Sequence, residues 1–317
     1  MPAPFRIGLA GAGRMGRNHL AALSGPEPGP VVIAAIAEPA PETRQRLAGT
    51  GADVHASLAE MLDRSALDAV LIAAPSDQHL RVISEVAAAG LPILCEKPCG
   101  VSSGEARAAA GAAAAAGMPL QVAYWRRFFP ALQQLQEQIA NGDLGAIHLL
   151  TCYQWDECPP PAAFRAHSGG IAIDMGVHEF DQLRWLTRQD ICGLKVTASA
   201  LKDDPGLTGD VDSAQMIVEM SGGTLGFVSL GRHHPAGDMA RAEAFGTRGT
   251  VRCDFLDPLD GERAQLDALR RQAEGFAEFV RGGMQQGATA ADAAAALEAA
   301  ELASSAIPAL AAAGGHP

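Results

Sequence analysis

Positive charge is scarce in this chain of 317 residues. It has 24 lysines and arginines against 36 aspartates and glutamates, which gives a formal net charge of −12. Proteins that bind nucleic acid usually carry a basic surface, so this balance argues against nucleic acid as a partner. A local basic patch around Arg126 and Arg127 is better suited to a small anion or a polar substrate.

Apolar runs of membrane-spanning length and Cys-x-x-Cys pairs are also missing. Hydrophobic residues make up 48% of the chain, but glycine, proline or charge interrupts each long apolar stretch before it reaches about 20 residues. The six cysteines are scattered through apolar segments, which predicts buried, reduced thiols instead of a disulfide scaffold. The first strand is predicted a few residues from the N-terminus and leaves no room for a signal peptide, so we expect a cytoplasmic protein.

Short apolar runs alternate with helical stretches between residue 5 and about residue 123. The runs have the length of strands and are rich in Val, Ile and Leu: FRIGLA, VVIAAIAEP, ADVHA, DAVLIAAP, PILCEKP and PLQVAY. This alternation predicts parallel strands joined by crossover helices on both faces of one sheet. We therefore expect a Rossmann-type, doubly wound dinucleotide-binding domain at 1–123.

The pattern changes after Tyr124. Helices at about 128–141 and 171–187 precede several long strands with no helices between them, and helices at about 262–283 and 289–313 close the chain. We expect an α+β domain at 124–288 that binds substrate and contains a large, mostly antiparallel, open sheet. A C-terminal helix at 289–317 follows, with packing on the first domain as one option. An uncovered sheet face is a liability unless it is paired, so this face is expected to form a homo-oligomer.

A Gly11-x-Gly13-x-x-Gly16 motif lies directly after the first strand and opens a helix. In this setting the first glycine allows a tight turn, the second lets a pyrophosphate approach the backbone, and the third lets the helix pack on the strand. Glu38 ends the second strand, 22 residues after Gly16, where an acid hydrogen-bonds the adenosine ribose and repels a 2′-phosphate. The motif predicts a site for NAD in preference to NADP. The alternative is a tight turn beside a solvated carboxylate.

Lys97 follows the fifth predicted strand in the segment LCEKPCG. Ligands of doubly wound sheets bind beyond the carboxyl ends of the strands, so Lys97 is expected to project toward the nicotinamide. The following Pro98 fixes the turn. A surface lysine in a turn is the alternative interpretation.

Asp174 and His178 are four residues apart on the predicted helix at 171–187 and share a face, with Asp181 near the same line. An aspartate one turn from a histidine can orient the imidazole and stabilise its protonated form, as a general base requires. The alternative is a solvated helix face with a stabilising Asp–His pair.

Other histidines give weaker signals. Asp174 and His178 could form a metal site with His233 and His234, but no compact ligand spacing supports it, so we expect no metal. His19, His55, His148 and His167 are expected to be solvated or hydrogen-bonded.

Together these residues carry a resemblance to a known family. The chain resembles the glucose–fructose oxidoreductase/inositol dehydrogenase family of NAD(P)-dependent sugar and polyol oxidoreductases, and most of all its inositol 2-dehydrogenase-like branch. The combination of Glu-Lys-Pro with Asp-x-x-x-His after Gly-Gly is more specific than the glycine motif alone. The matching segments span nearly the whole chain: GAGRMGRNH, AEP, AAPSDQH, CEKP, YWRRFFPALQQLQEQIANGDLGAI, SGGIAIDMGVHEFDQLRWL and GDVDSAQMIVEMSGGTLGFVSLGRH.

The resemblance implies roles for individual residues and a dimeric or tetrameric assembly. Lys97 matches the lysine that contacts both substrate and nicotinamide, and His178 matches the proton acceptor with Asp174 beside it. Arg127 and Asp181 match substrate-side residues. The residues implied at the cofactor are Gly11, Gly13, Arg14, Met15, Gly16, Glu38, Ala74, Pro75, Ser76, His79, Glu96, Lys97, Trp125 and Arg126.

Two segments, 154–167 and 232–243, depart from the family pattern, and both are expected to border the substrate pocket. In the first, Trp155 and Asp156 are candidates to stack on and hold a sugar ring.

The predicted function is the NAD-dependent oxidation of a secondary alcohol of a cyclic polyol or sugar. His178 is expected to take the hydroxyl proton, with Asp174 orienting its ring, while Lys97 polarises the reacting oxygen. The alternatives are an aldose 1-dehydrogenase that makes a lactone, a reductase that runs the reaction backwards, and a regulator that binds dinucleotide and senses a sugar without turnover.

Overall fold

The computed structural model describes residues 3–25, 29–165, 168–200, 210–256 and 260–313. These residues form two compact units. The first unit contains the chain up to Phe128 together with Leu266–Ala294, and the second contains Phe129–Gln265 together with the chain from Ala295.

A six-stranded parallel sheet forms the centre of the first unit, in the order β3-β2-β1-β4-β5-β6. Its strands are β1 (Phe5–Ala10), β2 (Val31–Ala37), β3 (Asp53–His55), β4 (Ala69–Ile72), β5 (Ile93–Glu96) and β6 (Leu120–Ala123). The helices between them are α1 (Arg14–Ala22), α2 (Pro41–Arg46), α3 (Leu58–Arg64), α4 (His79–Ala88) and α5 (Ser103–Ala115). The predicted doubly wound sheet is confirmed. Its strand order reverses between β1 and β4, where such sheets bind dinucleotides.

Local sequence signals explain where several of these helices begin. Ser57 and Ser102 cap α3 and α5, because each side chain accepts a hydrogen bond from the backbone N–H three residues later. Strands β4 and β5 are fully buried, as expected of central strands in a parallel sheet covered on both faces. The core of the sheet includes Leu9, Leu71 and Leu94, with Phe276 from the later segment of this unit.

The second unit is organised around another six-stranded sheet, in the order β12-β11-β7-β10-β9-β8. Its strands are β7 (Ile147–Trp155), β8 (Ile191–Ser199), β9 (Ser213–Met220), β10 (Leu225–Gly231), β11 (Met239–Gly246) and β12 (Thr250–Leu256). Its pairs are antiparallel except for β7 with β10, which confirms the predicted mostly antiparallel sheet. The remaining helices of the chain are α6 (Pro130–Ala140), α7 (Ala162–Arg165), α8 (Val177–Thr187), α9 (Gly261–Val280) and α10 (Ala290–Ala313).

The two faces of this second sheet differ. Cys152 lies on the buried face, where its sulfur accepts a hydrogen bond from Gln182 of α8 at 3.1 Å. Side chains alternate along a strand, so the neighbours of Cys152 project from the other face. There the rings of Tyr153 and Phe227 meet at 5.8 Å, and Ile217 remains 45% exposed.

The thiols only partly follow the prediction. All six cysteines are free, and Cys95, Cys99, Cys152 and Cys253 are buried as expected. The prediction of burial is wrong for Cys158 and Cys192, because the first lies among the prolines after β7 and the second projects from the edge strand β8. Across the described part of the chain, no helix combines the length and the apolar character needed to span a membrane.

Candidate active site

The glycine motif connects β1 to α1 at the strand-order reversal of the first unit. Gly11 has a φ of +96°, and a Cβ there would lie 2.8 Å from the carbonyl oxygen of Ala73. A Cβ on Gly16 would lie 2.1 Å from the carbonyl oxygen of Gly11. A Cβ on Gly13, in contrast, would meet no heavy atom within 4 Å. The first and third glycines therefore close the turn, whereas the second leaves open space where a pyrophosphate can approach the backbone.

The Glu38 carboxylate is fixed beside this motif. One oxygen accepts a hydrogen bond from the backbone N–H of Ala12, and the other accepts one from Ala40, both at 2.9 Å. Arg14 and Met15 open α1, Arg14 exposed and Met15 half-buried. An open backbone at Gly13 next to a fixed acid at the end of β2 fits the phosphates and ribose of NAD.

The segment after β4 lies against the glycine motif. A Cβ on Gly11 would come within 2.9 Å of the backbone nitrogen of Ala74. Pro75 is exposed, and Ser76 begins a short 3₁₀ turn that leads into α4. The structure therefore brings this segment to the place at which the sequence predicts the cofactor.

Lys97 occupies a turn directly after β5. The backbone N–H of Lys97 donates to one oxygen of the Glu96 carboxylate at 3.1 Å, and the other oxygen lies 2.6 Å from Nε2 of His19. The Lys97–Pro98 peptide bond is cis. Lys97 itself is half-buried, at the edge of the sheet that carries the glycine motif.

Three predicted site residues follow β6 in a 3₁₀ helix, and all three are buried: Trp125, Arg126 and Arg127. The guanidinium of Arg126 lies 5.9 Å from the centre of the Trp125 ring. Arg127 pairs with the carboxylate of Asp292 at 3.3 Å.

In the second unit, Asp174 lies in a π-helical segment, Ala172–Gly176, that leads directly into α8. His178 and Asp181 follow on the first turns of α8, and both side chains are buried. A π-helical turn inside a helix is uncommon and often marks a functional site.

A buried arginine holds the Asp174 carboxylate. Arg232, directly after β10, is fully buried, and its guanidinium lies 3.2 Å from Asp174 and 3.0 Å from Asp210. Asp210 also accepts a hydrogen bond from the backbone N–H of Ile171 at 2.9 Å, at the start of the π-helical segment. One cation therefore links two carboxylates that flank the beginning of this helix.

Asp156 lies in the same electrostatic environment. Burial raises the pKa of Asp156, and the nearby carboxylates of Asp238 and Asp174 raise it further, whereas a hydrogen bond from Gln154 and the charge of Arg232 lower it. Its carboxylate is therefore easier to protonate than an ordinary aspartate.

Trp155 is placed differently from its neighbour. It projects from the face of β7 opposite to Cys152, and its indole N–H donates to Ser229 at 2.9 Å. Its ring lies over Gly231, where a Cβ would come within 2.2 Å. The structure thus places Trp155 on the sheet face away from α8, whereas Asp156 shares the environment of Asp174.

The sequence did not predict the roles of Arg232 and Asp210 or the pairing of His19 with Glu96. Arg232 and Asp210 both belong to the segment GDVDSAQMIVEMSGGTLGFVSLGRH, but their contact depends on the hairpin of β9 and β10. The sequence does place a charged residue just before β9 (Asp210) and just after β10 (Arg232), and this pattern could have indicated their contact.

The histidines proposed as alternative metal ligands have other partners. His233 lies 3.5 Å from Asp212, and Nδ1 of His234 hydrogen-bonds to the carbonyl oxygen of Gly237. No group of three or more His, Cys, Asp or Glu side chains suited to a metal ion occurs among the described residues. His167 lies outside those residues.

The geometry of the first unit defines the class of protein, one that binds a dinucleotide on a Rossmann-type sheet. Residues 5–124 match the family model described as "Oxidoreductase family, NAD-binding Rossmann fold", and residues 132–252 match the "GFO/IDH/MocA C-terminal domain". The chain belongs to the GFO/IDH/MocA family and is an NAD-dependent oxidoreductase. The resemblance drawn from the sequence is therefore confirmed.

Individual relatives match this chain over most of its length. The chain is 48% identical to the rhizopine catabolism protein MocA of Rhizobium meliloti, over 94% of each protein. It is 32% identical to the inositol 2-dehydrogenase of Rhizobium meliloti strain 1021, over 84% of this chain and 80% of that protein. Among solved structures, a myo-inositol dehydrogenase from Corynebacterium glutamicum superposes with a TM-score of 0.87 at 27% identity, with 97% of each chain covered.

Proposed function

We propose that this protein oxidises a secondary alcohol of a cyclic polyol or sugar, with an inositol-like compound as the substrate class. One observation carries the proposal: a chain with a dinucleotide-binding motif also has an Asp-x-x-x-His pair at the start of a helix, in which His178 is buried and Asp174 is half-buried and paired with Arg232. The relatives named as inositol dehydrogenases support a polyol as the substrate.

In this proposal His178 accepts the proton of the substrate hydroxyl. NAD, which the glycine motif and Glu38 would hold, would take up the hydride from the carbinol carbon. Asp174 stabilises the imidazolium that results, and its own carboxylate is fixed by Arg232. The ammonium of Lys97 hydrogen-bonds the same substrate oxygen and stabilises the negative charge that develops on it. General base catalysis of this kind contributes about 10²–10⁴-fold, and positioning of the two reactants supplies much of the remainder.

The test is a substrate panel followed by NADH absorbance. The panel contains inositol isomers, aldoses and, because of the name of the relative at 48% identity, a rhizopine. His178→Ala and Lys97→Ala are expected to lower kcat by about 10²-fold or more on the best substrate. His148→Ala is a matched control, because His148 is exposed on a strand of the second sheet.

Each alternative predicts a distinct result in the same assay. An aldose 1-dehydrogenase would prefer aldoses and release a lactone. A sensor would bind NAD with no turnover of any compound. Wild-type kcat in the His178→Ala and Lys97→Ala variants would contradict the assigned roles.

We also propose that the open face of the second sheet forms a homodimer or homotetramer. It presents Tyr153, Phe227, Ile217 and Leu225, and the last two are 45% and 48% exposed. Apolar side chains grouped on an uncovered sheet favour pairing with a second copy. Ile217→Lys is expected to dissociate the assembly, as measured by light scattering, and a monomeric wild type would contradict the proposal.

A further inference from the structure

Two buried histidines flank the turn that carries Lys97, and neither has a role in the chemistry described above. His19 is fully buried, and His79 is 1% exposed. Both lie in the first unit, and both contact the chain within one residue of Lys97.

His19 holds the turn from its N-terminal side. It lies on α1, the helix that begins at the glycine motif, and its Nε2 is 2.6 Å from the Glu96 carboxylate. The second oxygen of that carboxylate accepts the backbone N–H of Lys97 at 3.1 Å. The Glu96 side chain is 5% exposed, so both hydrogen bonds lie in a low-dielectric environment that strengthens them. A continuous path of hydrogen bonds thus runs from the dinucleotide helix to the backbone of Lys97.

His79 holds the same turn from its C-terminal side. It is the first residue of α4, and its Nδ1 lies 2.7 Å from the carbonyl oxygen of Pro98. Its Nε2 lies 2.8 Å from the carbonyl oxygen of Ala74, in the segment that packs on Gly11. Both partners are carbonyl oxygens, so the Nδ1–H form of this imidazole donates to Pro98, while its other edge lies against a second cofactor-facing segment.

We propose that His19 and His79 are positioning residues for Lys97. A lysine ammonium lies at the end of a flexible four-carbon stem, so its location depends on how firmly the backbone at its base is held. The two imidazoles fix that backbone on both sides, each from a different segment of the dinucleotide site. This inference rests on the proposed role of Lys97. Because a misplacement of about 1 Å can cost about 10²-fold in rate, loss of either contact should lower kcat measurably.

Paired amide substitutions separate positioning from simple burial. The amide nitrogen of glutamine reaches the place of histidine Nε2, whereas that of asparagine reaches the place of Nδ1. The contact toward Lys97 uses Nε2 at position 19 and Nδ1 at position 79. Glutamine should therefore substitute for His19 and asparagine for His79, while the opposite amide should fail at each position.

We expect His19→Gln and His79→Asn to keep kcat within about threefold of wild type, and His19→Asn and His79→Gln to lose about 10- to 100-fold. The dissociation constant for NAD should change little in His19→Gln and His19→Asn, because the glycine motif and Glu38 are untouched. If the two histidines only filled space, the same amide, glutamine or asparagine, would give the higher kcat at both positions. That result, or equal kcat in all four variants, would overturn the proposal.

A second readout does not depend on turnover. The chain has only three lysines, Lys97, Lys195 and Lys202, so trace labelling with an amine reagent followed by peptide mass spectrometry resolves each one. NAD should protect Lys97 from labelling in the wild type, in His19→Gln and in His79→Asn, as measured by the ratio of Lys97 labelling without and with NAD. Protection should be weaker in His19→Asn and His79→Gln.

The two readouts keep this proposal distinct from the proposed function. If no polyol or sugar is oxidised but NAD protection follows the expected amide pattern, the proposed function fails and the positioning role stands. If polyols are oxidised and protection is the same in all four variants, the positioning role is wrong. Thermal melts establish that each variant folds. If His19→Asn does not fold, Glu96→Ala, which removes the shared carboxylate, takes its place and should show the same loss of kcat and of NAD protection.

Discussion

A methyl group added at two positions of the glycine motif should have opposite consequences. Gly13→Ala places a Cβ in space with no heavy atom within 4 Å, at an ordinary φ of −64°. Gly16→Ala places it 2.1 Å from the carbonyl oxygen of Gly11. The first variant therefore obstructs only what binds there, whereas the second forces the backbone of the motif to move.

The magnitudes follow from this difference. Gly13→Ala should lower the free energy of unfolding by about 1 kcal/mol or less, since alanine is a poorer N-cap than glycine. Its affinity for NAD should fall at least about tenfold, or about 1.4 kcal/mol, because the pyrophosphate loses its approach to the backbone. Gly16→Ala gains about 1 kcal/mol in helix propensity, but an overlap with backbone should exceed this and leave a net loss of about 2 kcal/mol.

Two measurements separate the variants. Urea denaturation gives the free energy of unfolding, and fluorescence titration with NAD gives the dissociation constant. Wild-type affinity for NAD in Gly13→Ala would refute the account of the cofactor site. Wild-type stability in Gly16→Ala would refute the proposed close approach of α1 to β1.

Three further predictions concern charged residues. Arg232→Met should lower the free energy of unfolding by about 3–5 kcal/mol in urea denaturation, because it leaves the Asp174 and Asp210 carboxylates without their cation, and Arg232→Lys should lose less. Glu38→Ser should raise kcat/KM with NADP relative to NAD, and an unchanged ratio would contradict the ribose contact. Burial raises the pKa of Asp156, so its contribution to stability is lost as the pH rises through that raised value. Asp156→Asn should therefore gain stability over wild type at neutral pH but not below about pH 4, as measured by thermal unfolding.

The first unit was largely predictable from the sequence because its signals are local. Apolar runs of strand length, the glycine motif and Glu38 lie within short segments, and each implies its own geometry. The doubly wound order then follows from the preference for right-handed crossovers, and that order brings the ends of the strands together. The positions of Gly11, Gly16 and Glu38 could be anticipated for this reason.

The contacts that could not be predicted from the sequence join side chains that are far apart along the chain. His19 and Glu96 are 77 residues apart, and nothing in either segment indicates that the imidazole reaches the carboxylate. Arg232 reaches Asp174 across 58 residues. Trp155 and Asp156 are adjacent in sequence, but they diverge because a strand alternates its side chains between two faces. Which face α8 covers is decided by packing of the whole unit.

Transfer of a labelled hydride tests the central claim most directly. A cyclic polyol with deuterium on its carbinol carbons is incubated with the enzyme and NAD, and the mass of the NADH formed is measured. We expect NADH that carries one deuterium, with slower formation than from the unlabelled polyol and a large loss of rate in His178→Ala. Tight binding of NAD with no deuterium in the nucleotide, for any polyol or sugar, would contradict it.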